Sequence, residues 1–125
     1  PLTRLPNRVL LKERLEAMVK RASRQAGAVA LLFIDLDRFK EVNDSCGHAV
    51  GDRVLVDVGR RLASALGAPH LLARMGGDEF VVAAEDAEAE GVKALATRLL
   101  AALAPPLCVD GTSFRLSASI GASVY

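Results

Sequence analysis

A chain of 125 residues, 51% hydrophobic and 25% charged, suits one globular domain with a real core and leaves little room for a second. A formal net charge of +1 points neither to a nucleic-acid binder nor to a membrane-surface binder. With 4% aromatic residues and no Trp there is little from which to build a single-strand stacking platform.

In chain order, Asn7 is placed to cap a helix reaching about Arg24, with Leu11, Leu15, Met18 and Ala22 on one face and Gly27 ending it. "AVALLFID" follows as a continuous apolar run closed by a carboxylate, the pattern of a strand buried on both faces. Its apolar part, Ala28 to Ile34, is far too short to span a bilayer, and nothing ahead of it reads as a signal peptide. "LDRFKEVND" reads as a short helix or turn. A longer helix starts near His48, carries the stripe Val50, Val54, Val58, Leu62 and Leu66, and closes at Gly67 and Pro69.

"LLAR" and "EFVVAA" are two short strands around a Gly-Gly turn. Asp86 caps a further helix with Val92, Leu95, Ala96, Leu99 and Leu103 inward, stopped at Pro105-Pro106. "LCV" and an Asp110-Gly111 turn then lead into a strand with Phe114, Leu116, Ala118 and Ile120 alternating. The order α, β, α, α, β, β, α, β, β is an α+β arrangement of helices around a mixed sheet. Cys46 and Cys108 lie far apart without metal-ligand spacing and read as two reduced thiols.

Three features bear on chemistry. Asp35 and Asp37 follow a buried strand; they are either a solvated strand end or the first ligands for a hard cation. Gly76-Gly77-Asp78-Glu79 is either a tight turn with solubilising acids or a turn whose missing Cβ atoms admit a bulky ligand. In "KEVNDSCGHAVGD", Asn43, Asp44, Gly47 and Asp52 read as helix-end and capping residues when taken alone, and a lone His48 as a surface residue.

Together they say more. If the strands are neighbours, Asp35 and Asp78 converge, and two carboxylates with waters hold Mg²⁺ carrying substrate phosphates. A carboxylate such as Asp52 accepts from two adjacent N–H groups, which guanine presents and adenine does not.

At these residues the sequence resembles the GGDEF family, the diguanylate cyclase domains of bacterial signalling proteins. "LTRLPNR" is similar to its opening motif and "FIDLDRFKEVNDSCGHAVGD" to its nucleotide-binding segment. "RMGGDEF" is similar to its signature and "SASIGASVY" to its late strand. The resemblance implies a palm-like α+β fold and condensation of two GTP into cyclic di-GMP with release of two pyrophosphates. By position, Asp35, Asp78 and the carbonyl of Leu36 would hold Mg²⁺ or Mn²⁺, and Asp78 would be the base for the ribose 3′-hydroxyl. Asn43 and Asp52 would read guanine, with His48 beside it. Lys40 would oppose phosphate charge and N–H groups near Phe39 would cradle the terminal phosphates. Gly76, Gly77 and Glu79 would face the nucleotide.

One site binds one GTP, so turnover implies a homodimer of face-to-face domains, with an upstream sensor and a downstream EAL phosphodiesterase domain as further partners. The resemblance implies a cytoplasmic domain, including within a membrane-anchored parent, with no nucleic-acid or membrane contact of its own. A start at Pro1 without Met is expected for residues 1–125 as one domain of a longer polypeptide, with the family's last, phosphate-gripping helix beyond Tyr125. Where relatives carry an inhibitory Arg-x-x-Asp product site, this chain has Gly67-Ala68-Pro69-His70, which implies no product inhibition there. The alternative within the family is a GTP-binding regulatory module that controls an adjacent EAL domain without making product.

Overall fold

The computed structural model describes residues 8–24, 29–66, 70–76, 78–85, 89–109 and 111–124. Asn7, Gly27, Gly67, Pro69, Gly77, Asp86 and Asp110, singled out above, lie outside them. The elements are α1 (Arg8–Arg24), β1 (Val29–Leu36), α2 (Phe39–Cys46), α3 (His48–Ala65), β2 (Leu71–Gly76), β3 (Glu79–Glu85), α4 (Ala89–Leu103), β4 (Leu107–Val109), β5 (Thr112–Phe114) and β6 (Ala118–Val124). Among the described residues, no helix is long and apolar enough to cross a membrane.

The main sheet has the order β2-β3-β1-β6, and each of its described pairings is antiparallel. The α+β class holds, but the sheet is antiparallel where a mixed one was expected. The reason is topological: β1 and β2 both run against β3, which lies between them, so these two parallel-running strands never pair. The chain's end also differs from the single alternating strand read from the sequence. β5 pairs with β4 in a separate two-stranded ribbon, and after residues 115–117 the chain enters β6 on the main sheet.

Period-2 alternation divides the sheet's side chains between two cores. Ala30, Leu32, Ile34 and Leu36 of β1, with Phe80, Val82 and Ala84 of β3, pack against Val54, Val58 and Leu62 of α3 and Leu95, Leu99 and Leu103 of α4. Phe114, Leu116, Ala118 and Ile120 are half-buried against this core. On the opposite face Val29, Leu31, Val81 and Ala83 meet Leu11 and Met18 of α1, with Leu15 half-buried beside them.

Helix α1 covers only part of that face. Phe33 and Asp35 at the end of β1 are exposed, so the strand is buried on both faces only as far as Leu32. The end of the sheet left uncovered is the end that carries the acids.

Two arginines tie down the far end of α3. Arg61 donates from Nη1 to the Pro105 carbonyl (2.5 Å) and from Nη2 to that of Pro106 (3.0 Å). Arg98 of α4 donates to the Ala65 carbonyl (2.6 Å), satisfying an acceptor that an α-helix leaves open at its C-terminus.

Phe80, fully buried one residue after Glu79, anchors the acidic hairpin in the main core. Phe80→Ala should therefore cost about 3–5 kcal/mol of stability, read from urea unfolding. A loss under 1 kcal/mol would show that the hairpin is held from elsewhere.

Candidate active site

The acids come together through strand register. Asp35 stands opposite Glu79 in the β1–β3 ladder, and the Leu36 N–H donates to the Asp78 carbonyl (3.3 Å). The ladder thus carries the end of β1 up to the hairpin tip, and the Asp35 and Asp78 carboxyl groups lie within hydrogen-bonding reach of each other.

A bulge precedes the hairpin tip. The β2–β3 register shifts between Arg74 and Gly76, so Met75 is an extra residue on one strand. Such bulges re-aim the residues that follow. Gly76 has φ 148°, a backbone that side chains rarely adopt, which explains a glycine here independently of any ligand.

The pKa of the Asp35 carboxyl is held above its ordinary value. Partial loss of water at the strand end contributes most, although the residue as a whole is exposed. The charges of Asp78 and Glu79, a hydrogen bond with Asp78 and the charge of Asp37 add to it. This mutual repulsion is what a divalent cation relieves. Among the described residues no three His, Cys, Asp or Glu side chains converge on one point. A cation here would take two carboxylates, a backbone carbonyl and waters, a donor set of the kind Mg²⁺ accepts.

Beside the pair lies a cavity of about 380 Å³. Asp35 and Glu79 line it along with Phe33, Met75, Phe80 and Val81, so its floor is largely apolar.

After β1 the chain turns sharply. Arg38 has φ 61° and ψ 19°, the one left-handed backbone among the described non-glycine residues. This conformation costs about 1–2 kcal/mol. It lets α2 begin at once with Phe39, whose side chain is buried in the main core. Lys40 follows on the exposed side.

Helices α2 and α3 meet at Gly47 (φ 89°), whose N–H donates to the Asn43 carbonyl (2.9 Å) and whose carbonyl accepts from Gly51 (3.1 Å). A Cβ on buried Gly51 would collide with the Asn43 amide oxygen. Gly51 thus lets the Asn43 side chain lie directly against α3, next to the residue that precedes Asp52. Asp52 and His48 are both exposed on α3, one turn apart.

The structure therefore joins Asp35, Leu36, Asp78 and Glu79 directly, and brings Asn43 against the start of α3. Lys40 and His48 are placed by their helices, and Gly77 lies outside the described residues. Cys46 and Cys108 are exposed free thiols. Residue reasoning gave no role to Gly51, Ser117 or Ser119. A glycine inside a helical stretch, with no turn to explain it, was the available signal for the first.

This arrangement is that of a nucleotidyl-cyclase-like catalytic domain. The family model "Diguanylate cyclase, GGDEF domain" matches residues 1–125, and the chain belongs to that family. It is 43% identical over 124 residues to the bifunctional diguanylate cyclase/cyclic di-GMP phosphodiesterase MucR of Pseudomonas aeruginosa, covering 99% of this chain and 18% of MucR. The crystal structure of the GGDEF domain of TpbB from the same species superimposes with a TM-score of 0.94 at 40% identity, covering 98% of this chain and 78% of that one. A sensory box/GGDEF family protein from Caulobacter crescentus gives 0.92 at 44%, covering 99% and 81%. The chain spans under a third of the length of the curated relatives MucR and TpbB.

The sign of the Asp35 effect is testable. Its folded-state affinity for a proton exceeds the unfolded one, so its stability contribution is fully present below the unfolded pKa, 3.8, and is lost as pH rises through the folded value. At pH 7 without metal, Asp35→Asn should raise the melting temperature, and the gain should shrink toward pH 4. An unchanged or lower melting temperature at pH 7 would remove the repulsion.

Proposed function

We propose that this domain, paired with a second copy, condenses two GTP molecules into cyclic di-GMP and two pyrophosphates in the presence of Mg²⁺ or Mn²⁺. The observation that carries this reading is the meeting of Asp35 and Asp78 at the paired ends of β1 and β3, beside the first turn of α2.

Asp35, Asp78 and the Leu36 carbonyl would hold the metal, which when bound would neutralise charge on the phosphates. Asp78 takes the proton from the attacking 3′-hydroxyl. Free N–H groups in the first turn of α2, near Phe39, cradle the terminal phosphates, and Lys40 adds a positive charge. The Asn43 amide and the Asp52 carboxylate take the guanine edge: the carboxylate accepts from its two adjacent N–H groups, and His48 flanks the nucleotide. Gly76 and Glu79 face the nucleotide at the hairpin.

Each domain presents one GTP, so the second nucleotide arrives on a second GGDEF domain. Holding two reactants in register supplies roughly 7–11 kcal/mol of a barrier. Assembly of the pair is then the natural point of control by an upstream sensor. MucR carries a phosphodiesterase activity in its name. A downstream EAL domain is the corresponding further partner of this chain, and the cytoplasm, where GTP is abundant, the corresponding location.

The direct experiment gives the full-length protein GTP and Mg²⁺ and measures cyclic di-GMP. Product is expected, and Asp78→Ala should abolish it with little change in melting temperature. GTP binding without product would leave the regulatory-module reading instead.

Guanine reading is tested separately. Gly51→Ala should leave the domain folded, since only a side-chain amide has to yield, while displacing Asn43 and reducing the preference for GTP over ATP by about tenfold, the worth of one hydrogen bond to a base edge. Unchanged nucleotide preference would remove Asn43 from recognition.

A further inference from the structure

Asp37 holds three ties to the start of β6. Its Oδ2 accepts from the Ser117 hydroxyl (2.9 Å) and its Oδ1 from the Ser119 hydroxyl (2.9 Å). Its own N–H donates to the Ser117 carbonyl (2.9 Å). Just before it, Leu36 pairs with Ala118 and Asp35 with Ser119 in the β1–β6 ladder. Just after it comes the left-handed Arg38, a conformation that persists only where its surroundings enforce it.

From these contacts we infer that Asp37 is a positioning residue. Its carboxylate, clamped by Ser117 and Ser119, fixes the turn between β1 and α2 and thereby sets the Leu36 carbonyl on the metal side and the Phe39 N–H on the phosphate side. This rests on the reading given under Proposed function and adds a residue to it.

The competing role for an acid two residues after Asp35 is direct metal ligation. The geometry favours the clamp, because each carboxylate oxygen already accepts from a hydroxyl donor, which holds the group toward Ser117 and Ser119 and leaves each oxygen one remaining acceptor site. The clamp also gives Ser117 and Ser119 a function, as donors at the start of an outer strand of the sheet into the turn that holds the left-handed Arg38.

The two roles predict different responses to Asn. An Asn side chain keeps both contacts, its oxygen accepting from one serine and its amide donating to the other, but it loses the charge. The full-length protein, as wild type, Asp37→Ala, Asp37→Asn and the double variant Ser117→Ala/Ser119→Ala, is assayed for kcat, KM and the Mg²⁺ concentration giving half-maximal rate. Binding of Mg²⁺ with a non-hydrolysable GTP analogue is measured by calorimetry on the same set.

Asp37→Ala should lower kcat on the order of 10²-fold, the effect of a displacement of about 1 Å at reacting groups. The serine double variant should match it, combining it with Asp37→Ala should be no worse than either alone, and Asp37→Asn should stay close to wild type with an unchanged Mg²⁺ requirement. If Asn fails as badly as Ala and demands more Mg²⁺, Asp37 is a ligand and the inference is overturned. A lower melting temperature with unchanged kcat, KM and analogue binding overturns it too, by leaving a purely structural tie.

A wild-type protein that binds the analogue but makes no product overturns the cyclase reading alone, since the binding series still decides the role of Asp37. One that does neither overturns both.

Discussion

The register between β1 and β3 is the constraint on which the rest of the site depends. Side chains alternate along a strand, so a slip of one residue would turn Asp35 into the main core and expose Ile34 in its place. The apolar partners forbid that slip: Ala30, Leu32 and Ile34 on one strand and Phe80, Val82 and Ala84 on the other are buried together against α3 and α4. Hydrophobic burial therefore aims the acids, although none of the acids takes part in it. The same pairing raises the proton affinity of Asp35, because the register that buries Phe80 also sets Glu79 opposite Asp35 and Asp78 beside it.

On the helical side the logic is one of close approach. Gly47 turns the chain with φ 89° between α2 and α3, and Gly51 removes the one Cβ that would push Asn43 away. The C-terminal end of α3 is fastened by Arg61 and Arg98 to the α4 region, so the two polar residues near its beginning are carried on a helix fixed at its other end. The residues proposed for metal, phosphate and base thus lie on a strand end, a short helix and a long helix that are consecutive in the chain, and the hairpin joins them from elsewhere.

Much of this was legible in the residues. The apolar stripes of α1, α3 and α4 and the unbroken run of β1 are burial patterns, and burial is what periodicity reports. The convergence of Asp35 with Asp78 was conditional on strand adjacency, which a sequence pattern alone leaves open; the motif resemblance closed that gap.

What escaped has physical reasons. The antiparallel sheet depends on β3 lying between β1 and β2, a long-range choice with no local signal. The break of the last strand at residues 115–117 hides inside a continuous alternation, since Leu116 is half-buried in either arrangement. The serines that clamp Asp37 lie about eighty residues from it, and hydroxyls in a strand look like ordinary surface residues until their partner is known. Arg38 is the sharpest case, because nothing in an arginine announces a left-handed backbone.

The incomplete cover that α1 gives the sheet has an electrostatic meaning. Phe33 is 48% exposed at the edge of the acid cavity, and with Met75 and Val81 it lays hydrocarbon where water would otherwise spread the carboxylate field. Charges of one sign above a low-dielectric wall concentrate their potential into the open side of a cleft. The uncovered aromatic face thus focuses the field of an acidic strand end into the open side of the cavity, instead of letting it spread into water.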